Sequence, residues 1–324
     1  MEDKKKLISV VFSFRNEEKN IEELLKRTHE TIGKFNNYSY ELIFVNDSST
    51  DNSLDLLKEN QKNYPIKIID MSRRFGGTAC RIAGFKNSSG DLIVDMDSDL
   101  QDPPELIEKL IKRSEEGIEI VHTIRTKRHG EPLLKMFFTK IGYKLINFFA
   151  EINLMENAGD FKLYSRKALN HILNINEYDP YVRGLSVWVG FKQDFIEYER
   201  EKRFSGETHY SWLSPKSVFS TRSPFSEFFR GITSFSNAPL YVSFFAGLIL
   251  FILSIFLIVY AIMIKFLDLS SPGVPTLIVL QSFFGGLILL NVGVLGIYLG
   301  KIFNQIKGRP KYVIKEIFNK KNED

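Results

Sequence analysis

Four aspartates, Asp95, Asp97, Asp99 and Asp102, fall within eight residues in the stretch GDLIVDMDSDLQDPPE, residues 90–105. They follow directly on the apolar run Leu92-Ile93-Val94, so they begin where a buried strand should end. Carboxylates this close repel and raise each other's pKa unless a cation sits among them. Two readings follow: a solvated turn with Asp102 capping the next helix, or a cation site. Alternate residues of an extended segment project to one side, so Asp97, Asp99 and Gln101 can face one point. Hard oxygen ligands of this kind suit Mg²⁺ or Mn²⁺ shared with substrate phosphates.

The elements around this stretch alternate. Leu7 to Phe14, Tyr40 to Val45, Ile66 to Met71, Leu92 to Met96 and Ile118 to Ile124 are short apolar, β-rich runs. Between them lie segments of helical period, such as Asn20 to Phe35 with Ile21, Leu24, Leu25, Ile32 and Phe35 on one face. Ser49 and Asp51 are candidate caps for the helix holding Leu54, Leu56 and Leu57. Pro103-Pro104 suits the first turn of another helix. Alternation of this kind predicts an α/β fold with a mostly parallel sheet covered on both faces. Ligands bind such sheets at the carboxyl ends of the strands. Asn16-Glu17, Asp47, Arg73-Arg74 and Asp97-Asp99 all fall there. No G-x-G-x-x-G follows the first strand and no P-loop lysine motif is present, which argues against a dinucleotide oxidoreductase or an NTPase.

The 324 residues carry a net charge of +4, too mild to point to nucleic acid, and one cysteine, Cys80, which fits a reducing compartment. The start has a basic n-region, but its short apolar run and lack of a small-residue cleavage site do not make a signal peptide. The last third differs. Residues 240–264 and 276–300 carry no charge and each exceeds the ~20 residues needed to cross a bilayer. Lys301, Lys307, Arg309, Lys311, Lys315, Lys320 and Lys321 follow the second. The positive-inside rule then places both termini and the N-terminal domain in the cytoplasm. Before the first span, Phe225, Phe228, Phe229, Ile232 and Phe235 recur at helical spacing, as in a helix lying in the membrane interface or packed on the soluble domain. The expected organisation is a catalytic domain over 1–213, an amphipathic region over 214–238, two transmembrane helices over 239–301 and a basic tail over 302–324.

SVVFSFRNEEKNI, ELIFVNDSSTDNS, DMDSDLQDPPELI, HTIRTKRHGE, GDFKLYSRKAL, REKRFSGETHYSW, GITSFSNAPL and KGRPKY run in order along nearly the whole chain. With the paired spans, they resemble the family 2 glycosyltransferases of GT-A fold. More narrowly, they resemble the polyprenyl-phosphate glycosyltransferases, such as dolichol-phosphate mannose synthases and bactoprenol glucosyltransferases. The resemblance implies that Glu17 and Asp47 line the nucleoside pocket, with Ser13 and Arg15 beside them. It implies that Asp97 contacts the donor and that Asp99 and Gln101 hold the divalent metal. It makes Asp160 a base or an acceptor-positioning carboxylate, and Arg125, Arg128, Arg200 and Arg203 phosphate clamps. Three places depart from the family pattern. Ser13 and Arg15 stand where proline and tyrosine are usual, Asn46-Asp47-Ser48-Ser49 replaces Asp-Asp-Gly-Ser, and His209 stands where lysine is common.

The implied reaction is inverting transfer of a hexose from a nucleotide sugar to a polyprenyl phosphate at the cytoplasmic face. UDP-glucose is the first choice of donor and GDP the second choice of nucleotide. Such an acceptor is already ionised near neutrality, so Asp160 is expected to orient more than to abstract. Two other readings stay open: transfer to a different lipid, of diacylglycerol or ceramide type, and a non-catalytic membrane-anchored scaffold. Gly285-Gly286, Gly293, Gly296 and Gly300 would permit close helix approach in a homo-oligomer.

Overall fold

A computed structural model of the chain describes residues 5–126, 144, 147–148, 152, 155, 158–201, 231–267 and 273–319. The five strands expected from the N-terminal half are present as β1 (Lys6–Phe14), β2 (Tyr38–Asn46), β3 (Ile66–Met71), β4 (Leu92–Asp97) and β5 (Ile120–Arg125). Three more follow: β6 (Ala158–Ser165), β7 (Gln193–Tyr198) and β8 (Ile314–Phe318). Helices α1 (Ile21–Ile32), α2 (Ser53–Asn60), α3 (Gly77–Lys86) and α4 (Leu106–Glu115) connect the first five strands. Helices α5 (Arg166–Asn174) and α6 (Val182–Trp188) lie between β6 and β7.

The eight strands form one sheet in the order β7-β5-β6-β4-β1-β2-β3-β8. β1 pairs in parallel with both β2 and β4, β2 with β3, and β5 with β7. Pairing is antiparallel for β4–β6, β5–β6 and β3–β8. Followed across the sheet, these pairings leave only β6 and β8 running against the rest, so the sheet is mostly parallel. β1 is central, and Ile8 to Phe12 are buried without a break. That continuous run reflects a strand covered on both faces. Helices α1 and α4 bury one stripe each, Ile21, Leu24, Leu25 and Ile32 on α1 and Leu106, Ile107, Leu110 and Ile111 on α4.

Two local expectations resolve differently. Asp51 does serve the start of α2, accepting from Ser53 N (3.1 Å) and Ser53 Oγ (2.6 Å), but Ser49 turns away and accepts from Asn16 N (3.0 Å). Part of the expected tail over 302–324 belongs to the sheet. β8 covers the outer edge of β3, and Lys315 Nζ donates to Asp70 Oδ2 (3.2 Å). The sequence gives no sign of this, because IKEIF is too short and too charged to stand out from a solvated tail.

The chain divides into two compact units. One comprises residues 1–148, 152–231 and 310–324; the other comprises 149–151 and 232–309. The second holds α7 (Ala238–Phe266) and α8 (Val274–Ile306), within which 27- and 28-residue stretches are long and apolar enough to cross a membrane. Their large apolar side chains are exposed: Phe244, Phe251, Phe256, Leu289 and Leu299 are more than half accessible. Burial in a soluble core would leave the opposite pattern. Polar side chains link the segments of this unit. Ser243 Oγ donates to Asn291 Oδ1, Tyr298 OH to Ser236 O (2.9 Å) and Lys301 Nζ to Ser234 Oγ (3.3 Å). Among the described residues, a Cβ added at Gly285, Gly286, Gly293, Gly296 or Gly300 would meet no atom within 4 Å beyond its own helix, so no described neighbour packs on these glycines. Of the amphipathic region, residues 214–230 lie outside the described residues.

Candidate active site at the strand ends

The carboxyl ends of β1, β2 and β4 each turn through a non-glycine residue with positive φ: Asn16 (55°), Ser48 (59°) and Leu100 (57°). Asn and Ser tolerate this region because a short polar side chain can bond locally; a leucine there is strained, and such strain clusters at functional sites. The first two loops are laced together. Arg15 Nη1 donates to Asp47 O (2.9 Å) and Ser48 O (2.8 Å), Thr50 N donates to Asn16 Oδ1 (2.8 Å), and Glu17 N donates to Ser53 Oγ (2.9 Å). Arg15 therefore ties the β1 and β2 loops, a task its position after a strand does not reveal. Ser13 lies at the end of β1, beside Val45 on one side and Asp97 on the other, and its carbonyl accepts from Ser98 Oγ (3.1 Å). Glu17 is buried and accepts from Asn20. Asp47 is buried too, and its carboxylate takes the backbone N–H groups of Phe75 (2.6 Å) and Gly76 (3.0 Å). Gly76, at φ 97°, makes the turn into α3 that presents both.

The acidic loop after β4 is more than a solvated turn. Asp102 is fully buried and caps no helix. It accepts from Tyr198 OH, and Arg125 Nη2 and Arg200 Nε lie 3.2 and 3.5 Å from it. Arg125 also donates to Tyr198 OH (3.1 Å). Two of the expected phosphate clamps are thus anchored by Asp102 next to Asp99, whose Oδ2 is 4.0 Å from Arg200 Nη2. Asp99 Oδ1 accepts from Gln101 N (3.2 Å). Burial, then the charge of Asp97, pushes the Asp99 carboxyl up to about 6. Arg128, Arg203 and His209 lie outside the described residues.

Asp160 meets Asp97 through a buried ion cluster. Arg183 forks onto Asp160 with Nε and Nη2 both at 2.6 Å. Arg81 Nη2 is 2.8 Å from Asp160 Oδ2 and donates to Asp97 Oδ1 (3.0 Å), while its Nε is 3.4 Å from Asp95 Oδ2. Burial alone would raise the Asp160 carboxyl, but Arg183 and Arg81 outweigh it and hold it well below the usual carboxylate range. Lys162 lies opposite Asp95 and donates to Ser186 Oγ (2.9 Å); burial lowers it to about 8. His122, stacked on Phe195 and bonded to Gln193, is pushed down to about 3 by burial and carries no charge at neutrality. Arg81, Arg183, Tyr198 and Lys162 are the site groups that sequence reasoning missed. Lys162 lies within GDFKLYSRKAL, where nothing marks it apart from Asp160; Arg81, Arg183 and Tyr198 belong to none of the quoted motifs and reach the site from α3, α6 and β7.

Among the described residues no three His, Cys, Asp or Glu side chains are grouped to hold a metal on their own. The donor set fits a divalent ion that draws further oxygens from a substrate. Asp99 is a carboxylate near a second carboxylate and in want of positive charge, and Gln101, whose backbone N–H it accepts from, carries a further oxygen donor.

Carboxylates and arginines gather at the strand ends of a mostly parallel α/β sheet, the place where such sheets bind their ligands. Residues 9–173 match the family described as glycosyl transferase family 2, and the chain belongs to that family and is a glycosyltransferase. It is 38% identical over 323 residues to the uncharacterized glycosyltransferase YkcC of Bacillus subtilis (strain 168), covering 97% of this chain and 95% of the relative. It is 34% identical over 313 residues to the bactoprenol glucosyl transferase of Shigella phage SfII, covering 95% and 97%. Among solved structures, glucosyl-3-phosphoglycerate synthase from Mycobacterium tuberculosis overlaps 62% of this chain and 73% of its own at 19% identity, with a TM-score of 0.44.

Proposed function

We propose that the protein transfers a hexose, glucose from UDP-glucose in the first instance, to a polyprenyl phosphate such as undecaprenyl phosphate, with inversion at the anomeric carbon. The observation that carries this reading is the double arginine clamp on Asp160. A carboxylate held that far below its usual range is a poor base, so the site suits a nucleophile that arrives ionised. A phosphate monoester, with its second pKa at about 6, does so; a lipid hydroxyl does not. The relatives named as bactoprenol glucosyl transferases favour the same acceptor class.

In the proposed reaction a phosphate oxygen of the acceptor attacks the anomeric carbon, and the bond to the donor diphosphate breaks, leaving its electron pair on the nucleoside diphosphate. Glu17, Asp47, Ser13 and Arg15 border the nucleoside pocket. Asp97 meets the donor sugar, and Arg125 and Arg200 face the phosphates, where forked guanidiniums match the geometry; Arg128 and Arg203 are assigned the same role from the sequence alone. Asp99 and Gln101 would hold Mg²⁺ or Mn²⁺, which when bound neutralises charge on the leaving diphosphate. Asp160 orients the acceptor through its arginines.

Membrane attachment through α7 and α8 brings the enzyme to its lipid. What supports an even number of crossings is the sheet: β8, after α8, pairs with β3, before α7. With the basic residues after α8, this favours a catalytic unit and C-terminus on the cytoplasmic side. The test is transfer by the purified full-length protein in detergent, with undecaprenyl phosphate, Mg²⁺ or Mn²⁺ and a panel of labelled nucleotide sugars. Metal-dependent transfer from one donor is expected, reduced at least about 100-fold in Asp99→Ala. Transfer to diacylglycerol or ceramide instead would overturn the phosphate acceptor. Transfer to no lipid would point to a scaffold.

A further inference from the structure

Asp97 and Asp160 come from different strands and carry the same charge. The register pairs Asp95 of β4 with Lys162 of β6. Continued by two residues, it brings Asp97 opposite Asp160. Like charges directly opposite across a strand pair push apart. The sheet supplies a cation at the first of these steps, Lys162 opposite Asp95, and none at the second.

Arg81 fills that place from outside the sheet. Its Nη2 alone is within 3.0 Å of both carboxylates, and its Nε lies 3.4 Å from Asp95 Oδ2. The guanidinium therefore meets every acidic side chain on this stretch of β4 and β6, and it is only 13% exposed. Helix α3 can deliver it because Gly84, three residues on and hence on the same face, has no side chain. A Cβ there would sit 2.3 Å from Val11 Cγ1 and 3.2 Å from Val45 Cγ2, so α3 lies directly on β1 and β2. Asp160 is held on its other flank by Arg183, 35% exposed, which leaves Arg81 as the inner, fixed partner.

We propose that Arg81 is the positioning residue of this transferase, holding the carboxylates of Asp97 and Asp160 at one separation around the transferred sugar. The inference rests on the glycosyl-transfer reading of the site and deepens it with a residue outside the acidic motif. A planar guanidinium keeps its donors in a rigid fork, whereas an ammonium is a point charge on a flexible stem. Lysine at this position preserves the charge and loses the bridge. The nucleotide end of the site, built by the β1 and β2 loops, does not touch Arg81, so its loss should be felt at the sugar and not at the nucleotide.

The experiment compares full-length wild type, Arg81→Lys and Arg81→Met. Calorimetry reads the affinities for UDP-glucose and UDP, with GDP-mannose and GDP as a second pair, and turnover is measured alongside. In Arg81→Lys, affinity for the free nucleotide should stay within about twofold. The ratio of nucleotide-sugar to nucleotide affinity should fall at least about fivefold, and kcat about 100-fold, the usual cost of a small misplacement. Arg81→Met removes the one cation shared by the three carboxylates; if it fails to fold, Arg81→Lys decides. An unchanged ratio and kcat in Arg81→Lys would overturn the proposal. So would equal weakening of nucleotide and nucleotide sugar, the mark of a merely structural role. A wild-type chain that binds donor but transfers nothing to undecaprenyl phosphate would remove the acceptor reading, while the binding ratio would still report on Arg81.

Discussion

Asp160 sits between two guanidinium groups, and that placement sets its chemistry. A base would need an uncompensated carboxylate; this one is neutralised twice. The acid limb of the pH–rate profile should therefore not belong to Asp160. Transfer should fall at least about tenfold per pH unit below about 6, where the lipid phosphate takes up its second proton and Asp99 its own. Asp160→Asn should lower kcat about 100-fold by loosening the arginines, yet leave that limb where it is. A limb that moves or vanishes in Asp160→Asn would make Asp160 the base. The acidic motif and Asp160 were legible as residues from the sequence. Their partners were not, because Arg81 and Arg183 lie 79 and 23 positions from Asp160 along the chain and meet it only across the strand pairing.

At the level of elements, two contacts decide how the site is held. The close approach of α3 to β1 and β2 depends on Gly84. Gly84→Ala should destabilise the catalytic unit by about 1–3 kcal/mol through overpacking, read by denaturant titration, with Val11 as the group that must move. β8 is the other. Removing residues 310–324 should bare the edge of β3 and promote self-association, visible as larger species by size-exclusion chromatography with light scattering. Lys315→Ala alone should cost less than about 1 kcal/mol, since the lysine is 65% exposed and its pair with Asp70 is screened by water. If the truncated chain stays as stable and as monodisperse as the full one, β8 does not protect the edge.

For the whole molecule, the pairing of β8 with β3 bears on the proposed membrane topology independently of charge. The strand after α8 and the strands before α7 share one sheet, so a chain that crosses a bilayer through α7 and α8 must return to the side it left. Single cysteines at Glu59→Cys, Ser270→Cys and Asn319→Cys should divide accordingly in intact cells. Ser270→Cys should react with an impermeant maleimide, and the other two only after the membrane is opened. Cys80, the chain's one native cysteine, is fully buried and should not interfere. Labelling of Glu59→Cys and Ser270→Cys from the same face would exclude two crossings.

The sequence by itself determined what depends on local pattern. Five strands, their helices, the acidic loop at the end of β4 and two uncharged spans are each written in a run of neighbouring residues, where periodicity and charge report burial directly. Tertiary structure decided what depends on who lies beside whom. The strand order places β6 next to β4 and so brings Asp160 within one guanidinium of Asp97. The packing of α3 brings in Arg81 to hold that pair, and the return of the C-terminal segment turns a basic tail into an edge strand. Ion pairs between distant residues leave no periodic trace, because each partner alone reads as one more charged side chain among many.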